Sequence, residues 1–148
     1  MNRSARLQPV QRLAGDKADE AGQRLAEARQ DLDSQRQQLR QLLTFRQEYA
    51  EQLQGQSGGI NAARLRDYNA FISRIDQAIQ QQHQVVAQAK HRVNAQRQDW
   101  LEAYSHSRAV GRVVDRFRDE ERREQERREQ LQLDELARRT YSNPLLGS

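Results

Sequence analysis

Apolar residues recur along most of this chain at alternating steps of three and four. Counting in sevens from Leu7 gives Leu7, Ala14, Ala21, Ala28, Gln35, Leu42 and Tyr49; counting in sevens from Gln11 gives Gln11, Ala18, Leu25, Leu32, Leu39, Arg46 and Leu53. The two series interleave into one stripe with the 3.5-residue period of a helix that packs lengthwise on another helix. Pro9 stands near the start and suits a first helical turn, where its missing N–H leaves no intrahelical bond unmade. The stripe stops at Gln54-Gly55-Gln56-Ser57-Gly58-Gly59, whose glycines have no preference for helical dihedrals. The pattern therefore predicts helix 1 over about 9–54 and a loop over about 55–60.

Beyond the loop the period resumes in a new phase. One series runs Leu65, Ile72, Ile79, Val86, Val93, Trp100, Ser107, Val114, and the other Tyr68, Ile75, Gln82, Ala89, Gln96, Ala103, Val110, Phe117. Only Gln82, Gln96 and Ser107 interrupt these apolar positions, and the next steps, Glu121, Glu124 and Arg128, end the stripe. Helix 2 is predicted over about 61–140, with a flexible tail over about 141–148 after Asn143-Pro144. Two stripes joined by a short loop pack antiparallel, and a turn at Ser57 pairs residue i with roughly residue 114 − i. That register sets Leu42 on Ile72, Leu39 on Ile75, Leu32 on Gln82 and Ala14 on Trp100. Gln35, Arg46, Gln82 and Gln96 then act as polar layers that fix the register. The overhang from Arg118 to Arg139 lacks an apolar stripe but holds opposite charges four apart, such as Asp119 with Arg123 and Glu124 with Arg128, which support a lone helix. The predicted fold class is all-α, a single domain over 1–148: a long antiparallel two-helix coiled-coil hairpin with a C-terminal helical overhang.

Composition agrees with a thin molecule. Of the 148 residues, 35% are hydrophobic and 31% charged, too polar a mixture for a thick globular core. No segment approaches the ~20 apolar residues of a membrane span, and Met1 to Val10 lacks the apolar run of a signal peptide. We expect a soluble, cytoplasmic protein without direct membrane insertion. The net charge of +4 is spread along the chain, and one stretch, Gln77 to Gln98, carries Lys90, Arg92 and Arg97 with no acid. That is a weak basic face. The interspersed charges elsewhere argue against nucleic acid as a partner, because phosphate binding favours a concentrated basic surface.

Catalytic chemistry is not visible in the pattern. The absence of cysteine excludes disulfides and thiolate metal sites. The Ser57-Gly58-Gly59 segment joins two helices and is not followed by the Lys-Ser/Thr of a phosphate loop. His83 and His91 lie eight apart on one helix, without carboxylates at helical spacing to complete a metal site. We expect no cofactor, no metal and no enzyme activity. The concentrated apolar signal is instead Phe45, Tyr49, Tyr68 and Phe71 near the loop, more aromatic surface than two helices can hide, as at a protein-binding site.

With these residues in view, the sequence resembles the FliJ family, the small coiled-coil protein of the bacterial flagellar type III export apparatus. The resemblance rests on Gln38-Leu39 with Leu42, on Gln47-Glu48-Tyr49, on the loop ending Gly59-Ile60, and on Tyr68, Phe71-Ile72, Ile75 and Ala78-Ile79. Trp100 and the charged C-terminal helix also fit. The resemblance implies a stalk-like coiled coil that associates with the hexameric flagellar export ATPase. It also implies contact with the cytoplasmic domain of the export gate, escort of export chaperones, and peripheral association with the cytoplasmic side of the inner membrane. By matching position, the gate-binding patch is Gln38, Leu42, Phe45, Tyr49, Phe71, Ile75, Ala78 and Gln82; the family has a histidine at the last position, where here Gln82 stands with His83 beside it. The competing expectations are a generic structural or adaptor coiled coil, in which two chains pair, and a nucleic-acid-binding coiled coil. The glycine loop favours a hairpin within one chain, monomeric on its own.

Overall fold

The structure, a computed structural model, describes residues 2–55, 59 and 61–142. The expected turn at Ser57, most of the glycine loop, Asn143 and Pro144 lie outside the described residues. Two helices carry the fold: α1, Arg3–Gln54, and α2, Ala62–Ser142. Asn61 caps α2: its Oδ1 accepts the Arg64 amide at 2.8 Å while its carbonyl accepts the Leu65 amide at 3.1 Å. An asparagine at this position satisfies one of the amides that a helix start leaves unbonded. Arg139 in the last turn of α2 complements the negative end of the helix dipole. Pro9 does not open α1. The helix begins at Arg3, so Pro9 lies inside it and the Ala5 carbonyl loses its i+4 donor.

Close contacts divide the chain into two compact units, Asp19–Leu101, next to the loop, and Met1–Ala18 with Glu102–Ser148, which holds the chain ends. In the loop-proximal unit the helices run antiparallel: Tyr49 stacks on Tyr68, Arg46 meets Asp76, and Gln82 bonds to Gln35. Its core is Leu25, Ala28 and Leu32 of α1 against Val86, Ala89 and Val93 of α2, with Leu39 and Trp100 packed on the cluster. These are the residues of the two stripes. In the terminal unit Ala14 and Val114 are buried, and Ser4 bonds to Glu121. The stripe expected on α2 is in place except at Leu65, which is 47% exposed.

The register differs from the expected one. Gln82 meets Gln35 rather than Leu32, and Trp100 lies on Gly22 rather than Ala14: the indole Cδ1 and Nε1 would both stand 3.4 Å from a β-carbon placed there. The direction of the shift has a physical cause. Every Cα–Cβ bond tilts toward its helix's N-terminus, so long side chains lean that way. On α2 this lean runs toward the loop, and Trp100 reaches a higher-numbered partner on α1. On α1 it runs away from the loop, and Arg46 reaches the higher-numbered Asp76.

The stripe also extends further than Phe117. Glu121 is half-buried because the Ser4 amide donates to Oε1 at 3.0 Å and the Ser4 hydroxyl donates to Oε2 at 2.6 Å. Beyond it, every described residue from Gln125 to Ser142 is exposed. From Asp119 onward α2 carries ion pairs along its own surface. Glu124 pairs with Arg128 at 3.6 Å, as expected, and with Arg127, whereas Asp119 pairs with Arg122 at 3.3 Å instead of Arg123.

Candidate functional site

The four aromatics near the loop form a ladder across the two helices. Phe45 meets Phe71 edge-on with ring centroids 6.0 Å apart, Tyr49 lies 4.4 Å from Phe71, and Tyr49 stacks on Tyr68 at 5.5 Å. Such pairs stabilise beyond the area they bury. The ladder is therefore partly structural. Phe45 remains 49% exposed, and Leu43 and Leu65 add exposed apolar surface in the same unit.

Helical phase explains why these rings and not others gather. At 3.6 residues per turn, Gln38 and Phe45 fall beside Leu42 and Tyr49, on the side away from Leu39 and Arg46. On α2, Phe71 and Ala78 fall beside Ile75 and Gln82 in the same way. The eight residues singled out from the sequence thus share one flank of the hairpin, and Phe45 and Tyr49 touch Phe71 across it. Their exposure is graded. Gln38 and Phe45 are exposed; Leu42, Tyr49, Phe71, Ala78 and Gln82 are half-buried; Ile75 is buried and supports the others from beneath. Gln82 is engaged: its amide donates to the Gln35 carbonyl at 2.9 Å and to Gln35 Oε1 at 2.8 Å. His83 falls on the opposite flank.

The polar layers have different fates. Gln82 donates to Gln35, and Gln35 in turn donates to Asp31 at 3.3 Å. Arg46 leaves the stripe for Asp76, with Nε 2.5 Å from Oδ1. That bond holds the Asp76 carboxyl below its ordinary range and raises the Arg46 guanidinium above its own. Gln96 Oε1 is buried with no hydrogen-bond donor among the described residues. Glu121 is held below the ordinary glutamate range by the Ser4 hydroxyl first and the Ser4 amide second. Each of these shifts arises first from a hydrogen bond between the helices. Sequence reasoning missed the Arg46–Asp76 and Ser4–Glu121 contacts because both depend on the true register.

Among the described residues no group of three or more His, Cys, Asp or Glu side chains is placed to hold a metal ion. No helix among them is long and apolar enough to cross a membrane. The fold and its aromatic flank define a class: an antiparallel helical hairpin with a concentrated apolar face near its loop. The chain belongs to the FliJ family, since the family model described as "Flagellar FliJ protein" matches residues 3–145. It is similar to the Flagellar FliJ protein of Salmonella typhi, with 28% identity over 111 residues that cover 74% of this chain and 76% of the relative. No solved structure matches the chain.

Proposed function

We propose that this protein is a non-enzymatic component of the bacterial flagellar type III export apparatus. In this reading it is the stalk of the export ATPase hexamer, contacts the export gate and escorts substrate chaperones. It works in the cytoplasm, held peripherally at the inner membrane by these partners. The observation that carries the reading is membership of the flagellar family over residues 3–145. The loop-proximal unit supports it, because its two antiparallel helices brace one another along a shared core and leave their flanks open to partners. The terminal unit and the exposed α2 extension face the ATPase in this assignment. The aromatic flank, Gln38, Leu42, Phe45, Tyr49, Phe71, Ile75, Ala78 and Gln82, faces the gate.

The deciding experiment is a pull-down of full-length protein with the export ATPase, scored for stimulation of ATP hydrolysis. Binding with stimulation supports the stalk role; neither one at any ratio of the two proteins would end it. Truncation after Gln125 keeps the Ser4–Glu121 bonds and should reduce ATPase binding with the hairpin still folded. The gate contact is tested by Phe45→Ala with Gln38→Ala. Phe45 is chosen because it is exposed and makes one ring contact, whereas Tyr49 and Phe71 are half-buried with two each, so their loss would mix stability with binding more strongly. Unchanged affinity of that double variant for the gate's cytoplasmic domain would remove the patch assignment. Light scattering should give a mass near 17.3 kDa for the protein alone; twice that mass would favour two chains exchanging helices.

A further inference from the structure

The flank opposite the aromatic ladder carries a different chemistry. Arg29 and Arg36 of α1 lie seven residues apart beside the stripe, and so do Lys90 and Arg97 of α2. The antiparallel register sets the two pairs on either wall of one groove, about 400 Å³ in volume. Its floor is apolar, formed by Leu32 and Val93, 8% and 5% exposed. Asp33 is the one carboxylate among the described residues that line it. None of the four cations has a carboxylate within ion-pair distance among the described residues.

This arrangement works against the hairpin's own stability. Like charges facing across packed elements repel, whereas opposite charges attract. Further toward the loop on this same unit the chain does the opposite, joining Arg46 to Asp76. Four facing cations over an apolar floor are stabilised when an anionic partner covers them. We propose that this groove docks an acidic amphipathic helix of a partner protein, which lies along the hairpin and locally makes it a three-helix bundle.

The spacing selects that partner. Seven helical residues rise about 10.5 Å, so each wall offers cations at the interval at which a helix repeats its carboxylates every seven residues. Apolar residues between those carboxylates meet Leu32 and Val93. Single-stranded nucleic acid fits less well. Its bases need aromatic platforms, and no aromatic ring is among the groove's described lining residues.

The test uses the full-length protein and a fluorescein-labelled synthetic peptide of three heptads. The peptide carries glutamate on both edges of a leucine stripe, and a second version has glutamine in place of glutamate. Fluorescence anisotropy should show saturable binding of the glutamate peptide, weakened as salt is raised and at least about tenfold weaker for the glutamine version. Arg36→Gln with Arg97→Gln should weaken binding about tenfold. Arg74→Gln with Arg92→Gln, exposed cations outside the groove, should leave it unchanged. Because like charges are removed, the groove variant should melt no earlier than the parent by circular dichroism. Charge reversal, Arg36→Glu with Arg97→Glu, should transfer preference to a lysine peptide. Equal affinity of the parent and the groove variant for the glutamate peptide would overturn the proposal. So would an oligothymidine that binds through these cations more tightly than the peptide does.

Discussion

Gly22 of α1 faces the Trp100 indole of α2, and substitution there is worked out from the geometry. A β-carbon on Gly22 would sit 3.4 Å from Cδ1 and Nε1 of Trp100, whereas one on Gly15 would meet nothing within 4 Å. Alanine is favoured over glycine inside a helix by about 1 kcal/mol. Gly15→Ala should therefore stabilise by about that amount, or about 2–4 °C in melting temperature for a chain of this size. Gly22→Ala gains the same propensity, and its β-carbon reaches the indole at the tight edge of ordinary contact, so the net gain is smaller. Gly22→Leu adds a γ-carbon and two δ-carbons beside an indole that the β-carbon already meets at 3.4 Å. An overpacking cost of about 1–3 kcal/mol offsets the propensity gain of about 1 kcal/mol and leaves a net loss of up to about 2 kcal/mol. Urea unfolding followed by circular dichroism measures each value, and Trp100, the chain's one tryptophan, reports on the contact by fluorescence. In a Trp100→Ala background the penalty of Gly22→Leu should vanish, because the clash has no second partner. Gly22→Leu as stable as Gly15→Leu in the parent protein would refute the packing of Trp100 on Gly22 and, with it, the register.

Three further outcomes follow from named contacts. Gln96→Leu removes a buried acceptor without a donor and should stabilise by about 1 kcal/mol in the same unfolding assay. Gln82→Leu strips Gln35 of its cross-helix donor and should cost about 1 kcal/mol, whereas Gln35→Leu with Gln82→Leu recovers most of that loss. Glu121 titrates lower in the folded protein than in the unfolded chain, so its contribution is complete above the unfolded value of about 4.3 and is lost as pH falls through the lower folded value. The Ser4 amide resonance should follow that acid transition, and Ser4→Ala should shift the Glu121 titration back toward the ordinary range.

Much of the fold was legible because a coiled coil writes its core into one repeated interval. Leu25, Leu32, Val86 and Val93 are buried where the count in sevens puts them. The count fixes which face of each helix is inside but says nothing about sliding one helix past the other. A slide by a full heptad leaves both stripes apolar, and only differences in side-chain size distinguish the alternatives. Here the discriminating pair is the tryptophan and a glycine, and Gly22 is not a stripe residue at all. It sits just beside the stripe, so stepping along the apolar positions passes over it. The start of α1 was missed for a related reason. Pro9 reads as a helix opener, yet the Arg3 guanidinium over the Phe117 ring and the two bonds from Ser4 to Glu121 hold the preceding turn in place.

The candidate surfaces were less legible, and the cause is the geometry of a two-helix coil. Each helix spends its stripe on the other, which leaves two flanks beside the stripe and an outer back. A flank exists only once the register is known, because it is shared by residues distant in sequence. Phe45 and Phe71 are legible because aromatics near a loop stand out singly. Lys90 and Arg97 belong to a mild run of positive charge, while Arg29 and Arg36 lie among acids in the sequence and do not stand out. Only the antiparallel pairing brings the four cations to one groove, with Asp33 the single carboxylate lining it among the described residues. The two flanks therefore differ in kind. One presents rings that favour an apolar partner surface, and the other presents charge over a narrow apolar floor. Both flanks belong to the loop-proximal unit, so the two proposed contacts call for partners of different chemistry on opposite sides of it, and Phe45→Ala and Arg97→Gln should each weaken one binding reaction and spare the other.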